Sequence, residues 1–174
     1  MSSLTVAVML PYQIASSFNE ASHIGEHERT RAMTIRREDF DVSDPIVVVR
    51  LMCGLFYIPH VLFKVLGFSG SLIGFAKMGF EPPVFWVSLA IATETICAVG
   101  LTLNLHTRYV GLMSAGVMAF AAYGTFATKG LHWMWNFGGV EYIAFWGIAS
   151  FALAVHAWKA VLADSTRAAL PAHA

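Results

Sequence analysis

The chain divides into a polar front and a long apolar remainder that is interrupted three times. Residues 1–44 are polar and mixed in charge, ending in the block EHERTRAMTIRREDFDVSD. Beyond them, apolar runs of about twenty residues alternate with short connectors rich in Gly, Pro and polar residues. The runs cover 46–66, 84–103, 109–128 and 140–162, and a polar, Ala-rich stretch, 163–174, closes the chain. At 1.5 Å rise per residue a run of this length reaches about 30 Å, the thickness of a bilayer's hydrocarbon core. The pattern predicts an all-α integral membrane protein, a four-helix bundle over 45–162 with a polar N-terminal tail. Short connectors make neighbouring spans antiparallel.

Local signals sharpen the elements. Asp44-Pro45 supplies an N-cap and a first-turn proline. Pro59 has no amide hydrogen and frees the carbonyl of Leu55, so the first span should kink there. The connector 67–83 has room for a short interfacial helix over Ser71–Met78, stopped by Gly79. Residues 104–108 make a tight polar turn. In the third span Gly111, Ala115, Ala119 and Ala122 recur at spacings of four and three, a pattern that lets helix backbones approach closely in lipid. Met33, just before TIRREDF, marks an alternative start that would make 1–32 an extension.

Composition supports the membrane reading. Hydrophobic residues make up 57% and charged residues 13% of the 174, against roughly a quarter charged in soluble proteins. Mean hydropathy is +0.62 even with the polar tail included. The formal net charge is zero, so nothing points to nucleic acid. Cys53 and Cys97 are isolated, which argues against a thiol–disulfide relay or a cysteine metal site.

Orientation follows from the Lys and Arg residues near the span ends. Eight of them, Arg29, Arg31, Arg36, Arg37, Arg50, Arg108, Lys159 and Arg167, share the side of both termini; three, Lys64, Lys77 and Lys129, lie opposite. Both termini are therefore expected in the cytoplasm. Trp86, Trp133, Trp135 and Tyr142 would form an outer aromatic belt.

Charged groups at membrane depth are costly unless paired or hydrated. Counting residues from the span ends sorts them into two layers. Arg50 and Glu94 both lie inside the inner half, and each is the other's nearest opposite charge by depth, so a buried Arg50–Glu94 pair is expected. It is open whether such a pair is structural or catalytic. The outer layer holds His60 and Lys64, four apart and so on one helix face. Glu141 opens the fourth span at similar depth, after a loop carrying His132, Trp133, Trp135 and Asn136. Together these seven residues would form a pocket suited to a quinone head group. Against it stands a plain reading in which Lys64 snorkels to water and the indoles anchor the interface. No flavin, haem or metal motif is evident.

Four motifs in order then carry a resemblance: RLMCGLFYIPHVLFKVLGF, FAKMGFEPP, the mid-span Glu94 followed by Thr107-Arg108, and WNFGGVEY. Over about Val49 to Trp158 the chain resembles the DoxX family. The resemblance implies a four-helix bacterial inner-membrane protein associated with quinone-linked oxidation, working beside an oxidoreductase partner subunit. Matching positions are Arg50, His60, Lys64, Glu94, Arg108, Gly138, Gly139, Glu141 and Tyr142. Val61 and Cys97-Ala98 depart from the family's pattern by adding bulk where glycines are common. The expectation is a small subunit of a quinone-linked membrane oxidoreductase system. Its rivals are a proton-coupled transporter using Glu94 and a non-catalytic membrane anchor or assembly subunit; a homo-oligomer is compatible with each.

Overall fold

The computed structural model describes residues 35–169. Helix α1 spans Pro45–Leu55, opened by Pro45 and by the Asp44 carboxylate accepting from the Ile46 amide at 2.8 Å. It stops at Phe56, and α2 takes over from Tyr57 to Leu66. The break falls where Pro59 leaves the Leu55 carbonyl without its donor. Helix α3 spans Phe68–Lys77, three residues earlier at its start than expected, and Gly79 with φ +85° turns the chain away from it. Helix α4 spans Pro83–Thr102, α5 spans Thr107–Lys129 and α6 spans Glu141–Ala169. Asn104 and His106, at φ 56° and 50°, reverse the chain between α4 and α5.

Four stretches among the described residues are long and apolar enough to cross a membrane: α1 with α2, α4, α5 and α6. The chain is an all-α bundle of four membrane-length spans. Helix α6 runs seven residues beyond the expected end at Leu162. Its last turns, ADSTRAA, are rich in alanine and contain neither glycine nor proline, so nothing stops the helix as it leaves the apolar layer. The proposed start at Met33 lies outside the described residues.

Between helices in lipid there is little hydrophobic driving force, so close packing and polar bonds hold the spans together. At Gly111 a Cβ would come 2.8 Å from the Ser150 carbonyl and 3.0 Å from Ala154, which fixes α5 tightly on α6. At Gly54 a Cβ would lie 2.7 Å from the Thr102 amide, which fixes α1 on α4. Gly111 of the expected small-residue stripe is used in this way, whereas Ala119 remains exposed. Three fully buried hydroxyls tie the spans further. The Tyr57 hydroxyl lies 2.8 Å from Ser114 Oγ, which lies 2.7 Å from Ser150 Oγ. A hydroxyl can both donate and accept, so these two bonds link α2 through α5 to α6 and leave each member with a partner.

Candidate functional site: a cleft around a buried Lys–Glu pair

The site begins with Glu94, the twelfth residue of α4 and therefore near mid-span, 7% exposed. A carboxylate there needs a partner. Lys64, in the last turns of α2, supplies it: Lys64 Nζ donates to both Glu94 oxygens, each at 2.8 Å. The two side chains are 14% and 9% exposed. The pair is net neutral, and holding both oxygens leaves the ammonium one further N–H. It reaches the His60 carbonyl at 3.4 Å.

This pair is the polar centre of a cleft of about 380 Å³. Tyr57, His60 and Lys64 line it from α2, Trp86, Ala90, Thr93 and Glu94 from α4, and Tyr142, Ile143 and Trp146 from α6. Helix α3 and the first residue beyond it contribute Phe75 and Met78; α5 contributes Met118, Phe120 and Thr125. The walls are largely aromatic. Phe120 stacks on Phe80 at 4.4 Å between ring centres, and Trp86 on Phe120 at 5.6 Å. On the opposite wall Trp146 packs against Tyr57 at 4.6 Å and edge-on to His60 at 5.7 Å. Every lining residue lies in the half of the bundle that carries the 67–82 and 130–140 connectors, or at its middle. The other half is closed by the Gly54–Thr102 and Gly111–Ser150 approaches.

The expected Arg50–Glu94 pair is not formed. Arg50 is 3% exposed, and its guanidinium donates to the carbonyls of Leu101, Thr102 (2.9 Å) and Asp39. The physical reason is register. Gly54 lets α1 touch α4 at Leu101 and Thr102, so Arg50 sits four residues to one side of the contact and Glu94 seven or eight to the other. At 1.5 Å per residue those offsets separate them by about 17 Å. Arg50 instead meets the end of α4, where the last carbonyls lack helical donors and the helix dipole favours a cation. Asn104 joins this cluster, donating to Asp39 Oδ1 at 2.6 Å and accepting from Thr107 at 2.6 Å. The short 3-10 turn Arg37–Phe40 is thereby fastened to the bundle.

The expected outer pocket also needs correction. His60 and Lys64 line the cleft, but His132, Trp133, Trp135, Asn136 and Glu141 do not. Trp133 and Trp135 are about two-thirds exposed, at 65% and 66%, and His132 and Asn136 are exposed as well. The 130–140 loop is held by its own backbone, with the Val140 and Glu141 amides donating to the carbonyls of His132 and Trp133. That self-bonding turns its indoles outward. Gly139 is buried within the loop, and Glu141 is only half-buried at the start of α6. Lys64 therefore belongs to the inner partner Glu94 rather than to Glu141. Arg108 lies at the far end of α5, over the rings of Tyr109 and Trp158.

The order of spans, the mid-span carboxylate and its lysine can now be set beside known proteins. The DoxX family model matches residues 46–130. The chain is a DoxX-family membrane protein. No curated protein and no solved structure matches it. The match takes in α1 to α5 and hence Arg50, His60, Lys64, Glu94 and Arg108. The WNFGGVEY motif and α6 lie beyond it, so Gly138, Gly139, Glu141 and Tyr142 rest on resemblance alone.

Two DoxX-protein residues in the cleft escaped the sequence reading, Tyr57 and Trp146. For Tyr57 a signal was present. Arg50, Cys53, Tyr57, His60 and Lys64 recur at spacings of three, four, three and four, which marks one face along the whole first span. Trp146 looked like any apolar residue of a lipid-facing helix and gave no such cue.

Proposed function

We propose that this DoxX-family protein is the membrane component of a quinone-linked oxidoreductase system, with both termini in the cytoplasm of a bacterial cell and the cleft facing the outer half of the inner membrane. The observation that carries this reading is the Lys64–Glu94 pair inside an otherwise apolar, aromatic-walled cleft. A neutral ring with polar edges fits such a site: flat aromatic walls hold its faces, and a few placed polar groups hold its oxygens. Lys64 is the donor for a carbonyl oxygen. Glu94 is the acceptor for a ring hydroxyl and the group that takes up or returns its proton. Because the pair is neutral as a whole, binding a neutral ring leaves no net charge uncompensated in the low-dielectric cleft.

Electron exchange is assigned to a partner oxidoreductase, since the sequence carries no flavin, nucleotide or haem motif of its own. The close-packed half of the bundle weighs against a proton-coupled transporter, which must expose Glu94 to each side in turn.

The test is to purify the protein in mild detergent, extract it with organic solvent and identify co-purifying quinone, then titrate the stripped protein with a short-tailed quinone. Wild type is expected to bind, and the double variant Lys64→Gln/Glu94→Gln to lose binding while keeping its abundance. Quinone that neither co-purifies nor binds on titration would overturn the reading.

A further inference from the structure

Trp146 is 7% exposed and lines the same cleft, yet its indole N–H has no hydrogen-bond partner. A buried donor without an acceptor is unusual in a folded protein and asks for an explanation. Tyr57, Ser114 and Ser150 nearby are fully buried too, and all three are satisfied. Packing does not explain the choice of tryptophan, because phenylalanine would supply an apolar ring against Tyr57 and His60 without an orphan donor. Trp146 lines the cleft from α6, beside Tyr57 and His60, while Lys64 and Glu94 line it from α2 and α4.

We propose that Trp146 is a specificity-determining residue whose indole N–H binds an oxygen of the ligand, so that the cleft holds a ring at two points. The Lys64–Glu94 pair takes one oxygen and Trp146 another. The ligand class is thereby narrowed, on the quinone reading above, to flat rings bearing two oxygens. A phenol or other ring with one oxygen satisfies the charge pair and leaves Trp146 without an acceptor. The N–H is covered by its neighbours, so reaching the ligand takes a rotation of the indole.

The experiment compares wild type with Trp146→Phe in lipid nanodiscs by calorimetric titration, using a short-tailed quinone and an analogue lacking one ring oxygen. Loss of one neutral hydrogen bond is expected to weaken the two-oxygen ring about fivefold and leave the one-oxygen analogue unchanged. Equal weakening of both probes would show that Trp146 is a wall and nothing more. A second readout needs no variant of doubtful folding. Wild-type protein labelled with ¹⁵N at indole nitrogen should show one N–H resonance moving downfield when the quinone is added and staying in place with the analogue. An unmoved set of indole resonances with bound quinone overturns this inference while leaving the quinone site intact. Failure of wild type to bind quinone at all overturns both.

Discussion

Neutralising one member of the Lys64–Glu94 pair tests the site most directly. Both carboxylate oxygens accept from a single ammonium at 2.8 Å, and neither side chain is more than 14% exposed. Stranding one member of a buried pair typically costs about 3–5 kcal/mol, because the survivor keeps its desolvation penalty. The two survivors differ. Without Glu94, the lysine stands two residues from the end of α2 on a flexible stem and can carry its charge toward the membrane surface. Without Lys64, the carboxylate is held on a short side chain at mid-helix and cannot reach the membrane surface. Lys64→Gln is therefore expected at the upper part of that range and Glu94→Gln at or below its lower end. The double variant removes both charges and should recover part of the sum. Unfolding in mixed detergent micelles, followed by circular dichroism, gives the four corners of the cycle. A coupling of at least about 2 kcal/mol is expected, within the range seen for residues in direct contact. Additive losses, with coupling below about 0.5 kcal/mol, would refute the pairing.

The other expectations use the same unfolding assay. Arg50→Ala should cost more than one charged hydrogen bond, each worth about 1.5–3 kcal/mol, and should free the Arg37–Phe40 turn to protease; combined with Glu94→Gln it should be additive, since the two side chains do not meet. Gly111→Ala drives a methyl to 2.8 Å from the Ser150 carbonyl and should cost about 1–3 kcal/mol. Gly116→Ala meets nothing within 4 Å and should be neutral or stabilising by up to about 1 kcal/mol through helix propensity. Equal effects at the two glycines would contradict the packing of α5 on α6. Tyr57→Phe removes one end of the hydroxyl chain while Ser114 and Ser150 still satisfy each other, so a loss of only about 1 kcal/mol is expected.

The spans were legible because lipid forces a simple rule on sequence: every backbone polar group must be satisfied within the helix, so spans are long, apolar and punctuated. Asp44-Pro45 marked a helix start and Pro59 marked the break at Phe56 for reasons local to a few residues. The loop 130–140 misled for the opposite reason. Histidine, asparagine and two tryptophans close together in sequence suggest a gathered site, but backbone bonds from Val140 and Glu141 fold that loop onto itself and face the indoles away.

The charge pairing was a harder problem, because it depends on how far one helix slides along another. Counting residues from each span's end treats the ends as level, and by that rule Arg50 and Glu94 are neighbours. The helices are not level. Their register is set where backbones touch, at Gly54 against Leu101 and Thr102, and a single glycine among fourteen carries that information. Moving the contact by one turn, about 5.4 Å, would shift both cations along Glu94's helix by the same distance. Lys64 reaches Glu94 on this register, while Arg50 reaches the carbonyls that end α4. The stripe 50, 53, 57, 60, 64 shows that all five side chains share one helix face, but not which of its two cations meets the carboxylate. Gly54→Leu is therefore a test of the assignment itself: forcing α1 away from α4 should loosen Lys64–Glu94 and Arg50 together, seen as faster hydrogen exchange in both Cys53–Lys64 and Thr93–Thr102. Exchange raised in only one of those segments would mean that the glycine contact does not set the register.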